Sequence, residues 1–236
     1  MHAVITGAAQ GLGYAAAESL INNGWEVTLL DINHNLLSQT ASTLGCRSFT
    51  ADVTDQDSIR KFYNLLTELD ALVNNAGIWK PQQLESMSVA DQTHVLNTNV
   101  LGTVVCTKYA LPLLRLSEQG AIVNVSSLAA QTNSPGLGLY AASKSAIETL
   151  TKQWAVELAP IRVNAVAPGL IKTEGTSENY RGKAGELRSK AVPLGRVGQP
   201  NDVAETIAFL LSESASYVSG QIVTIDGGLS AGSSKH

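Results

Sequence analysis

Short runs of β-branched and apolar residues alternate with longer segments of helical periodicity along most of the chain. Runs that are apolar on both faces are typical of strands covered on both sides, and the intervening helices are the connections that parallel strands need. The pattern therefore predicts an α/β fold, a doubly wound seven-stranded parallel sheet with helices on both faces. The predicted strands lie in HAVIT (2–6), WEVTLLD (25–31), CRSFTAD (46–52), ALVNN (71–75), AIVNVSS (121–127), IRVNAVAP (161–168) and QIVTID (221–226). The predicted helices cover about 14–24, 34–44, 55–68, 88–117, 139–158 and 202–212.

Length and composition favour one domain that acts on a small molecule. The chain has 236 residues, of which 44% are hydrophobic and 15% charged, so a single core over residues 1–236 is expected. A net charge of −4 without clusters of Lys and Arg argues against nucleic acid or an anionic membrane as the main partner. The first residues, HAVITG, do not resemble a charged leader or a membrane span, and we expect a cytoplasmic protein.

The cysteines and histidines give no sign of a metal site or a disulfide framework. Cys46 and Cys106 lie sixty residues apart and outside any CxxC pattern, and the four histidines are scattered along the chain. We therefore expect no bound metal.

The turn after the first predicted strand is rich in glycine. The sequence TGAAQGLG places Gly7, Gly11 and Gly13 between a strand and a helix, where glycine permits a tight turn and the close approach of a pyrophosphate. The free N–H groups at the start of such a helix bind phosphate oxygens. The turn, with Gln10 and Leu12 in it, is thus typical of a Rossmann dinucleotide site, with a plain turn as the alternative.

Asp31 ends the second predicted strand, eighteen residues after Gly13. A carboxylate at about this distance accepts hydrogen bonds from the adenosine ribose and repels a 2′-phosphate. No Arg or Lys follows it closely, and Gln10 brings no positive charge, so we expect NAD rather than NADP. The alternative role for Asp31 is that of a turn carboxylate that caps the next helix.

Two further strand ends are candidates for cofactor contacts. Asp52 and Val53 follow the third strand and are expected near the adenine. The sequence NNAG follows the fourth strand and brings Asn75, Ala76 and Gly77, whose small or amide side chains suit a tight backbone beside a cofactor. A plain turn after a strand is the alternative for NNAG.

Tyr140 and Lys144 stand four residues apart in a segment of small side chains, YAASK. Residues i and i+4 share one face of a helix, so the two side chains are expected to lie one above the other. A tyrosine with its ordinary pKa of about 10 is a poor base at pH 7, and lowering that pKa to about 7 requires roughly 4 kcal/mol of preference for the phenolate. A nearby ammonium in a partly dry cleft lowers the pKa of a phenol, so the pair is either a proton-transfer device or ordinary packing.

Together these motifs resemble the classical short-chain dehydrogenase/reductase family, over nearly the whole chain. The residues that carry the resemblance are TGAAQGLG (6–13), NNAG (74–77), NVLG (99–102), NVSS (124–127), YAASK (140–144), NAVAPG (164–169) and QIVTIDGG (221–228). The residues alone leave Ser126 or Ser127, and Asn97 or Asn99, as candidates. The resemblance selects Ser127 and Asn99.

The resemblance implies a catalytic tetrad of Asn99, Ser127, Tyr140 and Lys144. In it, Tyr140 exchanges a proton with the substrate oxygen, and Ser127 hydrogen-bonds that oxygen. Lys144 also binds the nicotinamide ribose, and Asn99 holds a water that links Lys144 to solvent. The resemblance further implies a turn at Pro168 and Gly169, contacts of Ile171 and Thr173 with the nicotinamide carboxamide, and a homo-oligomer, either a dimer or a tetramer, of which we expect the homotetramer.

The segment from Lys172 to Pro193 has weak periodicity and is rich in Glu, Lys, Ser and Gly. A long loop in a compact domain is often functional, so we expect a substrate loop over about 172–195. Its candidates for substrate contact are Tyr180, Arg181 and Leu187, with the segment 131–139 and Trp79 as further candidates.

The leading hypothesis is an enzyme that transfers a hydride between NAD(H) and a secondary alcohol or ketone. The alternative within the class is a 3-oxoacyl thioester reductase, and a hydroxysteroid or polyol is an equally open substrate. The alternative from another class is a binding protein that senses NAD(H) without turnover, which would need no proton relay.

Overall fold

The computed structural model describes residues 1–132 and 134–232, and it confirms the predicted fold class. Seven parallel strands form one sheet in the order β3-β2-β1-β4-β5-β6-β7. All seven fall within the runs expected from the sequence. They are β1 (His2–Thr6), β2 (Glu26–Asp31), β3 (Arg47–Thr50), β4 (Ala71–Asn74), β5 (Ala121–Val125), β6 (Arg162–Pro168) and β7 (Ile222–Ile225).

Helices cover both faces of the sheet. Side chains alternate along each strand, so that Ala3 and Ile5 pack on one face while Val4 packs on the other. The first face is covered by α1 (Gly11–Asn22), α2 (His34–Leu44) and α8 (Pro200–Leu211), and the second by α3 (Gln56–Tyr63), α5 (Gly102–Leu114) and α6 (Tyr140–Glu157). The remaining helices are α4 (Val89–Leu96) and α7 (Gly182–Ala191).

The long helix predicted over 88–117 is interrupted. Between α4 and α5 the chain makes one wide helical turn of the π type at Asn97–Leu101. Such turns leave the regular hydrogen-bond ladder and occur frequently at functional sites. Residue periodicity does not reveal them, because the residues on either side keep their helical pattern.

The segment from Lys172 to Pro193 is more ordered than the predicted loop. It contains a 3₁₀-helical stretch at Glu174–Tyr180, followed by α7. Only Gly185 is buried in α7, so the helix lacks the apolar stripe by which sequence patterns reveal helices.

The parallel register brings the carboxyl ends of the strands to one edge of the sheet. The order of the chain reverses at β1, whose neighbours are β2 and β4. In doubly wound sheets this reversal opens a crevice above the strand ends. Within the described ranges, no helix is long and apolar enough to span a lipid bilayer.

Candidate functional site

A cavity of about 520 Å³ opens above the carboxyl edge of the sheet. Every strand end from β1 to β6 contributes to its lining. Most residues predicted from the sequence lie on its wall: Gly7, Gln10, Gly11, Leu12, Asp31, Asp52, Val53, Asn75, Ala76, Gly77, Ser127, Tyr140, Lys144, Pro168, Gly169, Ile171 and Thr173. The structure therefore brings together residues that lie up to 166 positions apart in the sequence.

The glycines of the first turn are required by the backbone. Gly7 and Gly11 have φ angles of 63° and 62°, in the left-handed region that favours glycine. Gly13 lies behind the cavity wall, where a Cβ would stand 2.4 Å from the carbonyl oxygen of Gly7. Close packing of α1 on the turn thus excludes any side chain at Gly13, and α1 begins at Gly11 with its first N–H groups unpaired within the helix.

The loop after β4 is bound to the same turn. The Asn75 side chain donates hydrogen bonds to the carbonyl oxygens of Thr6 (2.9 Å) and Gly7 (2.8 Å). A Cβ on Gly7 would lie 2.7 Å from the Cα of Ala76. The NNAG sequence is therefore more than a plain turn, because it holds the glycine-rich turn in place.

Asp31 is fixed by two backbone donors. One carboxylate oxygen accepts from the N–H of Ala9 (3.0 Å) and the other from the N–H of Asn33 (2.9 Å). The side chain of Asn33, not of Asp31, caps α2, so the capping alternative for Asp31 is wrong. Among the described residues that line the cavity, Lys144 is the only Lys or Arg, and it lies at the other end, beside Tyr140.

Lys144 is a buried cation. The residue is only 5% exposed, and its Nζ donates to the carbonyl oxygen of Val125 at 2.8 Å. Burial lowers the pKa of Lys144 to about 8. The ammonium lies 5.8 Å from the centroid of the Tyr140 ring, as the i, i+4 spacing predicts.

Tyr140 differs from expectation in one respect. Burial raises the pKa of Tyr140 above its ordinary value, and the neighbouring Ser127 hydroxyl lowers it in part. Desolvation outweighs the hydrogen bond with Ser127, while the ammonium of Lys144 donates to the Val125 carbonyl. The phenol is thus protonated at neutral pH in the protein alone.

The two serine candidates have different surroundings. Ser126 is buried, and its hydroxyl lies within hydrogen-bond distance of the Lys144 carbonyl oxygen (3.1 Å) and a Glu148 carboxylate oxygen (3.2 Å). Ser127 is only partly buried, and its hydroxyl accepts from the N–H of Ala129 at 3.1 Å. These contacts assign Ser126 to the framework and leave the hydroxyl of Ser127 at the cavity beside Tyr140.

Asn99 lies in the wide turn, 1% exposed and behind the cavity wall. Its amide accepts from the N–H of Ile78 (2.8 Å) and donates to the Ile78 carbonyl (3.0 Å) and the Ser143 hydroxyl (3.0 Å). A Cβ on Gly77 would lie 3.2 Å from Asn99 Oδ1 and 3.4 Å from Lys144 Nζ, so Gly77 permits both to approach. The side chain of Asn99 thus fixes the loop beside Lys144, and its predicted water stays a prediction.

Some substrate-loop candidates lie away from the cavity. Tyr180, Arg181 and Leu187 are not on its wall, and no described residue of 131–139 is, with Asn133 outside the described residues. Trp79 does line it and is 47% exposed. Glu174, Gly175 and Thr176, at the start of the predicted substrate loop, also line it. Sequence reasoning did not single out the other lining residues: Ile32, Ala51, Ile78, His94, Thr98 and Val125.

We expect the Lys144→Met variant to be more stable than the wild type at pH 7, by about 2 kcal/mol. The folded-state pKa of about 8 lies below the ordinary 10.5. A shift of this size costs the folded wild type about 3 kcal/mol at neutral pH, and the variant is free of that cost. The variant also loses the hydrogen bond to Val125, which is worth about 1 kcal/mol. Between these pKa values the unfolded chain binds more protons, so wild-type stability rises with pH and the difference shrinks towards pH 10.

Urea unfolding at pH 7, 8.5 and 10 measures this difference, with the exposed Lys152→Met as the control on the same helix. A difference that is independent of pH would contradict the assignment of a buried ammonium.

Comparison with known proteins agrees with this geometry. The family described as enoyl-(acyl carrier protein) reductase matches residues 7–230. The chain is 41% identical over 237 residues to the 3-oxoacyl-[acyl-carrier-protein] reductase of Thermotoga maritima, with 96% of each chain covered.

In the described residues, no group of three or more His, Cys, Asp or Glu side chains is arranged to hold a metal.

Solved structures share the fold closely. A short-chain dehydrogenase/reductase of Brucella melitensis, described as a glucose/ribitol dehydrogenase, has a TM-score of 0.92 at 34% identity, covering 97% of this chain and 96% of its own. ElxO with NADP bound has a TM-score of 0.90 at 33% identity, covering 98% and 99%. The chain belongs to the short-chain dehydrogenase/reductase family.

Proposed function

We propose that this oxidoreductase transfers a hydride between NAD(H) and a secondary alcohol or ketone. The observation that carries the proposal is the convergence of Ser127, Tyr140 and Lys144 at one end of a cavity whose other end is the glycine-rich turn with Asp31. A binding protein that only senses the cofactor would need the glycine-rich turn and Asp31, but not Ser127, Tyr140 and Lys144.

The residues present fit a dinucleotide. The turn at Gly7–Gly13 leaves no room for a Cβ at two of its glycines, and α1 offers unpaired N–H groups there, which suit a pyrophosphate. Asp31 retains free lone pairs for ribose hydroxyls, because each oxygen accepts one protein bond. The remaining contacts are proposed for Gln10, Leu12, Asp52, Val53, Asn75, Ala76, Gly77, Pro168, Gly169, Ile171 and Thr173.

The nicotinamide supplies or accepts the hydride when it is bound. Tyr140, protonated at neutral pH, donates its proton to the carbonyl oxygen during reduction, and takes one back during oxidation. The Ser127 hydroxyl orients the same oxygen and stabilises the negative charge that develops there. Lys144, with a pKa of about 8, holds a positive charge beside the phenol that stabilises the phenolate left by proton donation.

The choice of NAD rests on Asp31. Its carboxylate is held rigidly at the end of β2, and a 2′-phosphate there would meet a negative charge without a neighbouring cation from the described cavity wall. The neighbour ElxO is described with NADP bound, so the proposal of NAD depends on the local charge at Asp31 and not on family membership.

A 3-oxoacyl thioester is the second candidate substrate. It is favoured by the relative from Thermotoga maritima, which is named as a reductase of such a thioester on a carrier protein. The Brucella melitensis structure is described as a sugar or polyol dehydrogenase, so the shared fold does not choose between them. Both candidates use the same proton relay.

The Tyr140→Phe variant tests the proton relay. We expect it to lose at least about 1000-fold in kcat while its Kd for NADH stays within about threefold, because the hydroxyl moves a proton and contributes little to binding. The measurement is loss of NADH absorbance with a panel of ketones, 3-oxoacyl thioesters, ketosteroids and sugars. Wild-type binding of NADH without turnover on the whole panel would favour the sensor instead.

The Asp31→Ser variant tests the cofactor. We expect the ratio of kcat/KM for NADH to that for NADPH to fall at least about tenfold, because the variant removes one negative charge that repels the 2′-phosphate of NADPH. Glu26→Gln, at the opposite end of β2, removes the same charge and serves as the control. A wild type that prefers NADPH would show the Asp31 argument to be wrong.

We also propose a homo-oligomer, as the family resemblance implies. Apolar or aromatic side chains are exposed at Val156 on α6, Phe209 on α8 and Tyr217 beyond it, and they suit burial between copies. Light scattering is expected to give two or four times the mass of one chain, and a single-chain mass would contradict the proposal. The cytoplasmic location stays a prediction.

A further inference from the structure

Gln92 is a buried polar side chain that no motif points to. It lies on α4, is 1% exposed, and is fully engaged in hydrogen bonds. Its amide nitrogen donates to the carbonyl of Lys80 (3.2 Å) and to Oε1 of Gln82 (3.0 Å), and its oxygen accepts from the N–H of Leu139 (2.7 Å). Buried amides are satisfied in this way, but these partners belong to two segments that are distant in sequence.

The first segment leads into the catalytic helix. Leu139 is the N-cap residue of α6, and its side chain makes no capping bond. Tyr140 is the next residue, so the bond from Leu139 to Gln92 fixes the backbone immediately before the phenol. Gly138 permits this contact, since its φ is +58° and a Cβ there would lie 2.6 Å from Gln92 Oε1.

The second segment begins at the cavity wall. Trp79 lines the cavity, and Lys80 and Gln82 come one and three residues after it. The same oxygen of Gln82 that accepts from Gln92 also accepts from the N–H of Ser88 at 2.9 Å. Gln82 is thus bonded both to the N-cap residue of α4 and to Gln92 within the helix. A Cβ on Gly136 would lie 2.9 Å from the amide nitrogen of Gln83, so the two segments also touch each other.

We propose that Gln92 is a positioning residue for the reaction. It holds the backbone before Tyr140 and the segment after Trp79 at a fixed separation, and thereby sets how a substrate oxygen meets the phenol. None of these hydrogen bonds of Gln92 reaches the glycine-rich turn or Asp31. Gln92 therefore acts on the substrate end of the cavity and leaves the cofactor end unchanged. The inference rests on the proposed function of Tyr140.

Two variants separate the halves of the amide. Gln92→Met has a similar shape and loses all three bonds, leaving the Leu139 N–H and the Lys80 carbonyl unpaired. Gln92→Glu keeps an acceptor for Leu139, loses the donors to Lys80 and Gln82, and sets a buried carboxylate oxygen against the two oxygens that accepted from them. Thr93→Ala is the control, because Thr93 is exposed on the same helix and bonds only within it.

For Gln92→Met we expect kcat to fall at least about tenfold while the Kd for NADH stays within about twofold. Of the three lost bonds, the one to Leu139 held the backbone before Tyr140, and a buried bond is worth about that factor. For Gln92→Glu we expect kcat within about threefold of the wild type and KM raised about fivefold or more. The bond to Leu139 remains, whereas, in the described part of the chain, the segment after Trp79 is held to α4 only by the bonds of Asp91 and Ser88 to Lys80 and Gln82. Thr93→Ala is expected to match the wild type.

Hydrogen exchange supplies a readout that needs no turnover. In Gln92→Met, the amides of Leu139 and the first turn of α6 should exchange at least about tenfold faster, with the glycine-rich turn unchanged. If the wild type binds NADH without turnover, the proposed function fails and exchange still tests the positioning. Unchanged exchange at Leu139, or lower thermal stability with unchanged kcat and KM, would overturn the inference, and so would a parallel loss of NADH affinity.

Discussion

The parallel alignment of seven strands is the constraint on which the site depends. Because the strands run in one direction, the turns after β1 to β6 all open at the same edge. The order reverses around β1, so the turn at Gly7 and the loop at Asn75 meet there without a helix between them. A site built from six separate turns is thus a direct consequence of strand direction, and the backbone at Gly7 and Gly13 completes it by close packing.

The buried ammonium of Lys144 is the most costly group in this arrangement. A buried charge without an opposite charge destabilises the folded state unless hydrogen bonds offset its desolvation. The carbonyl of Val125 provides one such bond, and Asn124 on the same strand donates to Thr151 on α6 at 2.9 Å. Helix α6 is therefore fixed to β5 by polar contacts over two turns, which explains how the fold holds a cation that its core would otherwise expel.

Local patterns were enough to predict the seven strands, most of the helices and the glycine-rich turn. The strands follow apolar runs, and Gly7 and Gly11 stand where the backbone has positive φ angles. The strands and this turn are therefore each specified by a few neighbouring residues. Three features could not be predicted. The wide turn at Asn97–Leu101 interrupts a continuous helical pattern, α7 lacks an apolar stripe, and the role of Gln92 depends on partners far away in the sequence. The pKa of Tyr140 also depends on burial, which the spacing to Lys144 does not reveal.

The two ends of the cavity differ in the same way: one depends on neighbouring residues and the other on contacts between distant segments. The end at the glycine-rich turn is constrained by its backbone, because a Cβ on Gly7 or Gly13 would clash with neighbouring backbone atoms. The end at Tyr140 is lined by side chains from α6 and from the segments after β4, β5 and β6. Gln92 lies behind it and joins the segment after β4 to the residue before α6. Relatives described as acting on an acyl thioester and on a sugar or polyol share this fold at similar identity, 41% and 34%. Changes in the side-chain contacts at the second end can alter the substrate while the glycine-rich turn and the Tyr140–Lys144 pair stay where they are.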